Sequence, residues 1–227
     1  DGKIHLKIVE KAENVTENGG ENTQEKRYFA KVLWGGLLKS RKSAALPGAK
    51  IYPPTLTNSD LANIKIANEM GVTGVMQPFV RDHSDLERVK EVLREAGAED
   101  IRLFAKIENM DGVRKLEKLL PAADEIVIAR GDLGNAVHLW DLPGVQRQIS
   151  EKCRAAGKPF MVVTQMLASM ERSPVPTRAE VNDIFHAVMD GAASIMVTGE
   201  TAVGDYPVEV IRYMVNTVRS AEKEENR

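Results

Sequence analysis

The chain has 227 residues, 43% hydrophobic and 28% charged, which fits a globular domain with at most a small appendage and excludes a disordered or collagen-like chain. Lys and Arg total 31 against 33 Asp and Glu, for a formal net charge of −2, and 5% of residues are aromatic; that balance counts against a nucleic-acid groove built on charge and stacking. The one cysteine, Cys153, permits no internal disulfide and no thiolate zinc site and points to a reducing, cytoplasmic setting; no apolar run approaches the ~18 residues of a membrane span.

Residues 4–9 alternate apolar and charged side chains, the pattern of a half-buried strand. Residues 15–27 are polar and hold Gly19-Gly20, which predicts a loop. Residues 28–34 alternate again and stop at Gly35-Gly36. This first segment reads as part of a small β domain ending near Pro47-Gly48. Its start, Asp1-Gly2-Lys3, has neither an initiator Met nor a signal peptide and reads as the middle of a larger design.

From about Thr55 the pattern becomes an alternation of helices and strands. Thr57 and Asp60 form a capping-box-like start, and Leu61, Ile64, Ala67 and Met70 then recur at helical spacing before Gly71. A strand is predicted at 72–79, then a helix at 84–96 stopped by Gly97, and a strand at 102–107. A helix at 111–120 ends at Pro121, a strand follows at 125–129, and a helix at 144–156 is stopped by Gly157. The strand at 160–164 precedes a full capping box, Thr177-Arg178-Ala179-Glu180, which opens a helix to Asp190. A strand at 194–197 and a last helix opened by Pro207 complete the series.

Five short apolar strands, each followed by a helix, predict a parallel sheet covered by helices or closed into a barrel. No G-x-G-x-x-G follows a strand, which counts against a dinucleotide-binding sheet. Polar residues recur at strand ends, namely Arg81, Glu108, Asp132, Thr164 and Glu200. That fits a β/α (TIM-type) barrel, whose chemistry sits at the C-terminal ends of its strands.

Among these, Glu108 and Asp132 fall on neighbouring strand ends, and two carboxylates with water and substrate oxygens make a site for a hard cation such as Mg²⁺. Lys106 lies two residues before Glu108 and so on the same side of its strand. A Lys beside a metal stabilises a transferring phosphoryl group or a developing enolate; the competing reading is a salt bridge on the rim. Gly131 permits close backbone approach at a helix start, or marks a tight turn. The Thr164 hydroxyl orients a substrate or relays a proton, or else caps the next segment. Glu180 is explained by its capping box, and Met166 and Met170, four residues apart, read as core. The four histidines form no H-E-x-x-H, and the segment from Gly36 to Ser40 lacks the spacing of a phosphate loop.

Taken together, these stretches resemble the pyruvate kinase family. The matching segments are Lys106-Ile107-Glu108-Asn109, the run from Ile128 to Gly134 (Ile-Ala-Arg-Gly-Asp-Leu-Gly), Gly157-Lys158-Pro159, Thr164-Gln165-Met166-Leu167, the run from Pro176 to Glu180, and the run from Thr198 to Pro207. The resemblance implies a phosphotransferase that moves a phosphoryl group from phosphoenolpyruvate to ADP, giving pyruvate and ATP, with Mg²⁺ (or Mn²⁺) and K⁺. It implies that Lys106 stabilises the transferring group and the enolate, and that Glu108 and Asp132 hold the divalent ion. Gly131, Asp132 and Thr164 would bind the three-carbon acid, Lys42 would contact the nucleotide, and Arg178 matches a loop that packs at subunit interfaces.

It also implies a division: residues 1–48 as the remnant of a β lid domain and 49–227 as a partial barrel with five of its eight strands. The family's Arg-x-Asn-x-Ser-His and Asp-Thr-Lys-Gly-Pro motifs, which serve the phosphate, nucleotide and K⁺ sites, are not in this chain. Pro78 replaces a usual Ser, and His186 a usual Asn. Five strands leave open edges, so the expected partners, besides the substrates, are copies of the chain or a chain supplying the missing strands. Two alternatives stand beside phosphoryl transfer: a non-catalytic module that binds Mg²⁺ and an oxoacid, or another metal-dependent, enolate-forming lyase or decarboxylase.

Overall fold

Period-two alternation in the first segment and helix–strand alternation beyond it become two separate units, Asp1–Leu46 and Pro47–Arg227. The structure, a computed structural model, describes residues 4–12, 27–38, 40, 44–46, 49 and 51–225. In the first unit, β1 (His5–Lys11) and β2 (Tyr28–Trp34) pair antiparallel, from His5 opposite Trp34 to Lys11 opposite Tyr28. Both strands are exposed at every position, not half-buried as the alternation predicts. The reason is that a two-stranded ribbon has one layer, and a face is buried only when a second layer covers it. The loop expected over 15–27 falls outside the described residues except at Arg27.

The second unit runs α1 (Asn58–Lys65), β3 (Gly74–Gln77), α2 (His83–Glu95), β4 (Arg102–Ile107), α3 (Met110–Arg114), α4 (Leu116–Leu119), β5 (Glu125–Ala129), α5 (Arg130–Ala136) and α6 (Leu142–Ala155). It continues through β6 (Phe160–Val163), a 3₁₀ turn (Ala168–Glu171), α7 (Arg178–Met189), β7 (Ser194–Met196), α8 (Gly199–Ala202) and α9 (Pro207–Glu225). The five strands β3 to β7 form one parallel sheet in chain order. Together with its helices this is an incomplete β/α barrel, accompanied by a small two-stranded sheet.

Several helix starts follow from caps. Thr57 and Asp60 make both capping-box bonds, as do Thr177 and Glu180. α1 stops earlier than its spacing predicts: the Ile66 and Ala67 N–H groups reach back only three residues, and the chain tightens into a turn before Gly71. Met70, expected on the apolar face, is therefore exposed. The helix expected over 111–120 is broken at Lys115, whose Nζ is held 2.5 Å from Asp82 Oδ2. The short helices α5 and α8 were hidden by Gly131, Gly134, Gly199 and the neighbouring turn-like composition.

The sheet has two buried faces. Leu103, Ile107, Ile126, Ile128, Phe160 and Val162 pack with helix residues such as Leu86, Val89 and Ile149. The alternate positions Val127, Ala129, Met161 and Val163 form a second cluster, with Phe104 and Met196 against it. That alternation is what a barrel requires, one face to the helices and one to the interior. Met166 and Met170 are fully buried, as their spacing predicts. Cys153 is buried in the outer layer, and burial pushes its thiol up to about 12, which leaves it unreactive at neutral pH.

The capping box of α7 does more than cap. Glu180 also accepts from the Ser169 N–H (2.7 Å) and the Ser169 hydroxyl (2.5 Å), which ties the 3₁₀ turn to the helix. Burial works against the Glu180 carboxylate, yet the bonds from Ser169 and Thr177 outweigh it and hold the group below its ordinary value. Thr177→Ala removes the hydroxyl that accepts from the Glu180 N–H. It is expected to destabilise the chain by about 1 kcal/mol, read as a lower urea midpoint at unchanged slope.

Candidate active site at the strand ends

The site is built where β4, β5 and β6 stop. Register pairs Lys106 on β4 with Val127 on β5, and Val127 with Met161 on β6. Lys106 thus shares the face of the interior cluster, as does Phe104 two residues earlier. Lys106 Nζ lies 2.8 Å from Glu108 Oε1. The Glu108 side chain is 2% exposed and that of Lys106 26%. The other carboxylate oxygen, Oε2, accepts from the Phe79 N–H at 2.7 Å. The chain after β3 thus folds over the end of β4, with Phe79 in the left-handed region at φ 50°. The pair is a buried carboxylate held by one cation and one backbone donor, which is more than a rim salt bridge.

β5 ends at Ala129 and α5 begins at once, so Gly131 and Asp132 lie in its first turn. Asp132 is exposed, and Gly131 is half-buried. A Cβ built on Gly131 would stand 3.0 Å from Thr164 Cγ2 and 3.5 Å from its hydroxyl. Glycine is therefore what lets the Thr164 side chain close on the α5 backbone. Thr164 itself follows β6 at φ 84°, and Gln165 follows at φ 56°. Two consecutive non-glycine residues in the left-handed region, one β-branched, are a strained arrangement that costs about 1–3 kcal/mol per residue.

The structure thus brings Lys106 to Glu108 and Gly131 to Thr164, on adjacent strands of one sheet. Lys42 lies outside the described residues. Glu200 proves to be a brace: it is buried, and it accepts from the Thr198 N–H (2.7 Å) and the Leu167 N–H (3.3 Å). Arg81 is bound to Asp85 (2.8 Å). Both border a cavity of about 390 Å³, whose other cation, Lys115, is paired with Asp82. That cavity holds none of Lys106, Glu108, Gly131, Asp132 or Thr164. Among the described residues no group of three or more His, Cys, Asp or Glu side chains is placed to hold a metal.

Comparison along the whole chain identifies the family. The family model described as the pyruvate kinase barrel domain matches residues 1–211. The chain belongs to the pyruvate kinase family. It is 40% identical to the pyruvate kinase of Bacillus licheniformis over 202 residues, which is 89% of this chain and 34% of that protein. It is 42% identical to the pyruvate kinase of Geobacillus stearothermophilus over 214 residues, 94% of this chain and 35% of that one. To the Candida albicans pyruvate kinase it is 40% identical over 199 residues, 88% of this chain and 39% of that one. The chain therefore spans between a third and two fifths of the length of these relatives. No helix among the described residues is long and apolar enough to cross a membrane.

Sequence reasoning missed two residues that the structure brings to these strand ends, Arg130 and Asp183. Arg130 stands inside the Ala129-Arg130-Gly131-Asp132 run, and its guanidinium pairs with Asp183 of α7 at 2.6 Å. The one signal available was a charged residue directly after a fully buried strand.

Proposed function

We propose that this chain carries the divalent-cation and oxoacid side of pyruvate kinase-type phosphoryl transfer, from phosphoenolpyruvate to ADP, giving pyruvate and ATP. The observation that carries the reading is half-buried Lys106 paired with the buried Glu108 carboxylate, one strand away from the close Gly131–Thr164 approach. In the reaction the bond between phosphorus and the enol oxygen breaks, a bond from phosphorus to a terminal ADP oxygen forms, and the enolate takes a proton to become pyruvate. Negative charge therefore develops on the enol oxygen. Lys106 Nζ, held in place by Glu108, supplies a fixed positive charge for it. Thr164, with the Gly131 and Asp132 backbone, binds the carboxylate of the three-carbon acid. Glu108 and Asp132 offer hard oxygen donors, the set that suits Mg²⁺ or Mn²⁺ with water and substrate oxygens completing the shell. When bound there, such an ion would supply Lewis-acid stabilisation of negative charge on substrate oxygens.

Further parts of the reading rest on the family. Lys42 contacts the nucleotide, and K⁺ is held by residues outside this chain. The lone, buried Cys153 suits a cytoplasmic setting. The edge strands β3 and β7 each pair on one side only among the described residues. Strands from another segment or another copy complete the barrel there.

Calorimetry with oxalate, a stand-in for the pyruvate enolate, tests the site. Binding is expected with Mg²⁺ present and is lost on chelation; absence of binding in both conditions overturns the reading. A coupled assay with phosphoenolpyruvate, ADP and Mg²⁺ on the barrel-completed assembly then separates transfer from mere binding. Gly131→Ala sharpens the test. Alanine gains up to about 1 kcal/mol of helix propensity in α5, while its Cβ presses on Thr164. Stability should barely change, and oxalate affinity should fall about tenfold, the scale of a misplaced contact.

A further inference from the structure

Arg130 is the first residue of α5, a position where a cation is electrostatically disfavoured by the helix N-terminus. Something else must hold it there. Its side chain is 13% exposed, and its guanidinium is shared between the segment after β6 and helix α7. Nε and Nη2 donate to the Thr164 carbonyl oxygen at 3.2 and 2.7 Å. Nη2 also reaches Met166 Sδ at 2.8 Å, and Nη1 donates to Asp183 Oδ2 at 2.6 Å. Two donors thus converge on the carbonyl of Thr164, the one β-branched residue at positive φ among the described residues. A strained backbone persists only where its surroundings over-determine it. Here those surroundings are the planar fork of an arginine, aimed by a carboxylate on α7.

We infer that Arg130 is a positioning residue that holds Thr164 in its left-handed conformation, with Asp183 as its anchor, and so keeps the Thr164 hydroxyl against the start of α5. Gly131 is the complementary half of the device: the arginine pulls the Thr164 carbonyl one way, and the missing Cβ leaves room for the side chain on the other. The consequence for binding rests on the proposed function, because it takes the Thr164 hydroxyl as a contact of the oxoacid. The consequence for the backbone does not.

Two substitutions probe it in the full chain. Arg130→Lys keeps the charge but offers no planar fork, and Asp183→Asn leaves Arg130 in place while weakening its anchor; Asp183 is 34% exposed, so this second variant tolerates the change. Two readouts are taken. NMR reads the Thr164 backbone directly, through its amide–Hα coupling and its ¹³Cα and ¹³Cβ shifts. Calorimetry reads oxalate binding in the presence of Mg²⁺. In both variants the Thr164 signals are expected to leave their left-handed values, and oxalate affinity to fall about tenfold or more. Adding Gln165→Gly, which relieves the neighbouring strained position, is expected to recover part of that affinity in the Asp183→Asn background. A merely structural role would lower the melting temperature without moving affinity or the Thr164 signals, and that result overturns the inference. If the unsubstituted chain binds no oxalate, the functional reading falls, and the Thr164 signals alone still decide whether Arg130 sets the backbone.

Discussion

Lys106→Met is expected to lower phosphoryl transfer in the barrel-completed assembly by about 10³-fold, the loss typical of removing one fixed donor to a developing oxyanion. The substitution keeps the length of the chain and removes the charge. Its second effect is on stability. Glu108 is almost fully buried, and without Lys106 it keeps, among the described residues, the Phe79 N–H as its donor. Leaving a buried carboxylate short of its cation costs several kcal/mol in a dry interior. Lys106 is a quarter exposed, so water repays part of that and a loss of about 1–3 kcal/mol is expected. The two effects are separated by Glu108→Gln with Lys106→Met together: the double variant has no unpaired charge, so stability should recover while turnover does not. Turnover within a few-fold of the unsubstituted protein would remove Lys106 from the chemistry.

The second large effect concerns stability alone. Asp85 is the hub of the turn between β3 and α2. Its side chain is 8% exposed. It accepts from Arg81 Nη2 (2.8 Å), Arg81 Nε (3.2 Å), the Arg81 N–H (2.9 Å) and the Thr55 hydroxyl (2.6 Å). Burial on its own would raise the carboxyl; the hydrogen bonds from Arg81 and Thr55 outweigh it and pull the group from an ordinary 3.8 down to about 2. Because the folded value is the lower one, ionised Asp85 contributes its full stability above about pH 4. That contribution is lost as pH falls from about 4 to about 2. A depression of this size corresponds to about 2 kcal/mol. Asp85→Ala is expected to cost about 3 kcal/mol at pH 7, since it also strips partners from Arg81 and Thr55. Urea denaturation of both proteins at pH 7 and pH 2 checks it: the gap between them should narrow in acid. An equal gap at both pH values would mean that the charge is not its source.

The parts of the fold that were legible in the sequence are those governed by neighbours a few residues apart. β2, β4 and β5 begin and end where alternation or an apolar run predicts. The helices α1 and α7 begin at the predicted capping boxes. Lys106 and Glu108 meet because residues two apart share a side of the chain at a strand end. Failures came where a local signal has two outcomes. Gly131 allowed either a helix start or a tight turn, and it lies in the first turn of α5, which continues through Gly134, where Leu139 and Leu142 pack. Glu200 read only as a polar residue at a strand end, and its oxygens brace two backbone N–H groups.

Strand and helix type, the order of the parallel sheet and the carboxylates and lysine of its rim follow from periodicity, caps and motif order in this chain. Which of those side chains act together does not, because that depends on contacts between residues far apart in sequence. The left-handed backbone of Thr164 shows the difference. Nothing in Thr164-Gln165-Met166 favours positive φ, and the local propensity opposes it. It is held by a guanidinium 34 residues earlier and by a carboxylate on another helix, and it fits because a glycine faces it. Packing at that distance in sequence overrides local preference, and only the folded sheet brings those groups to one point.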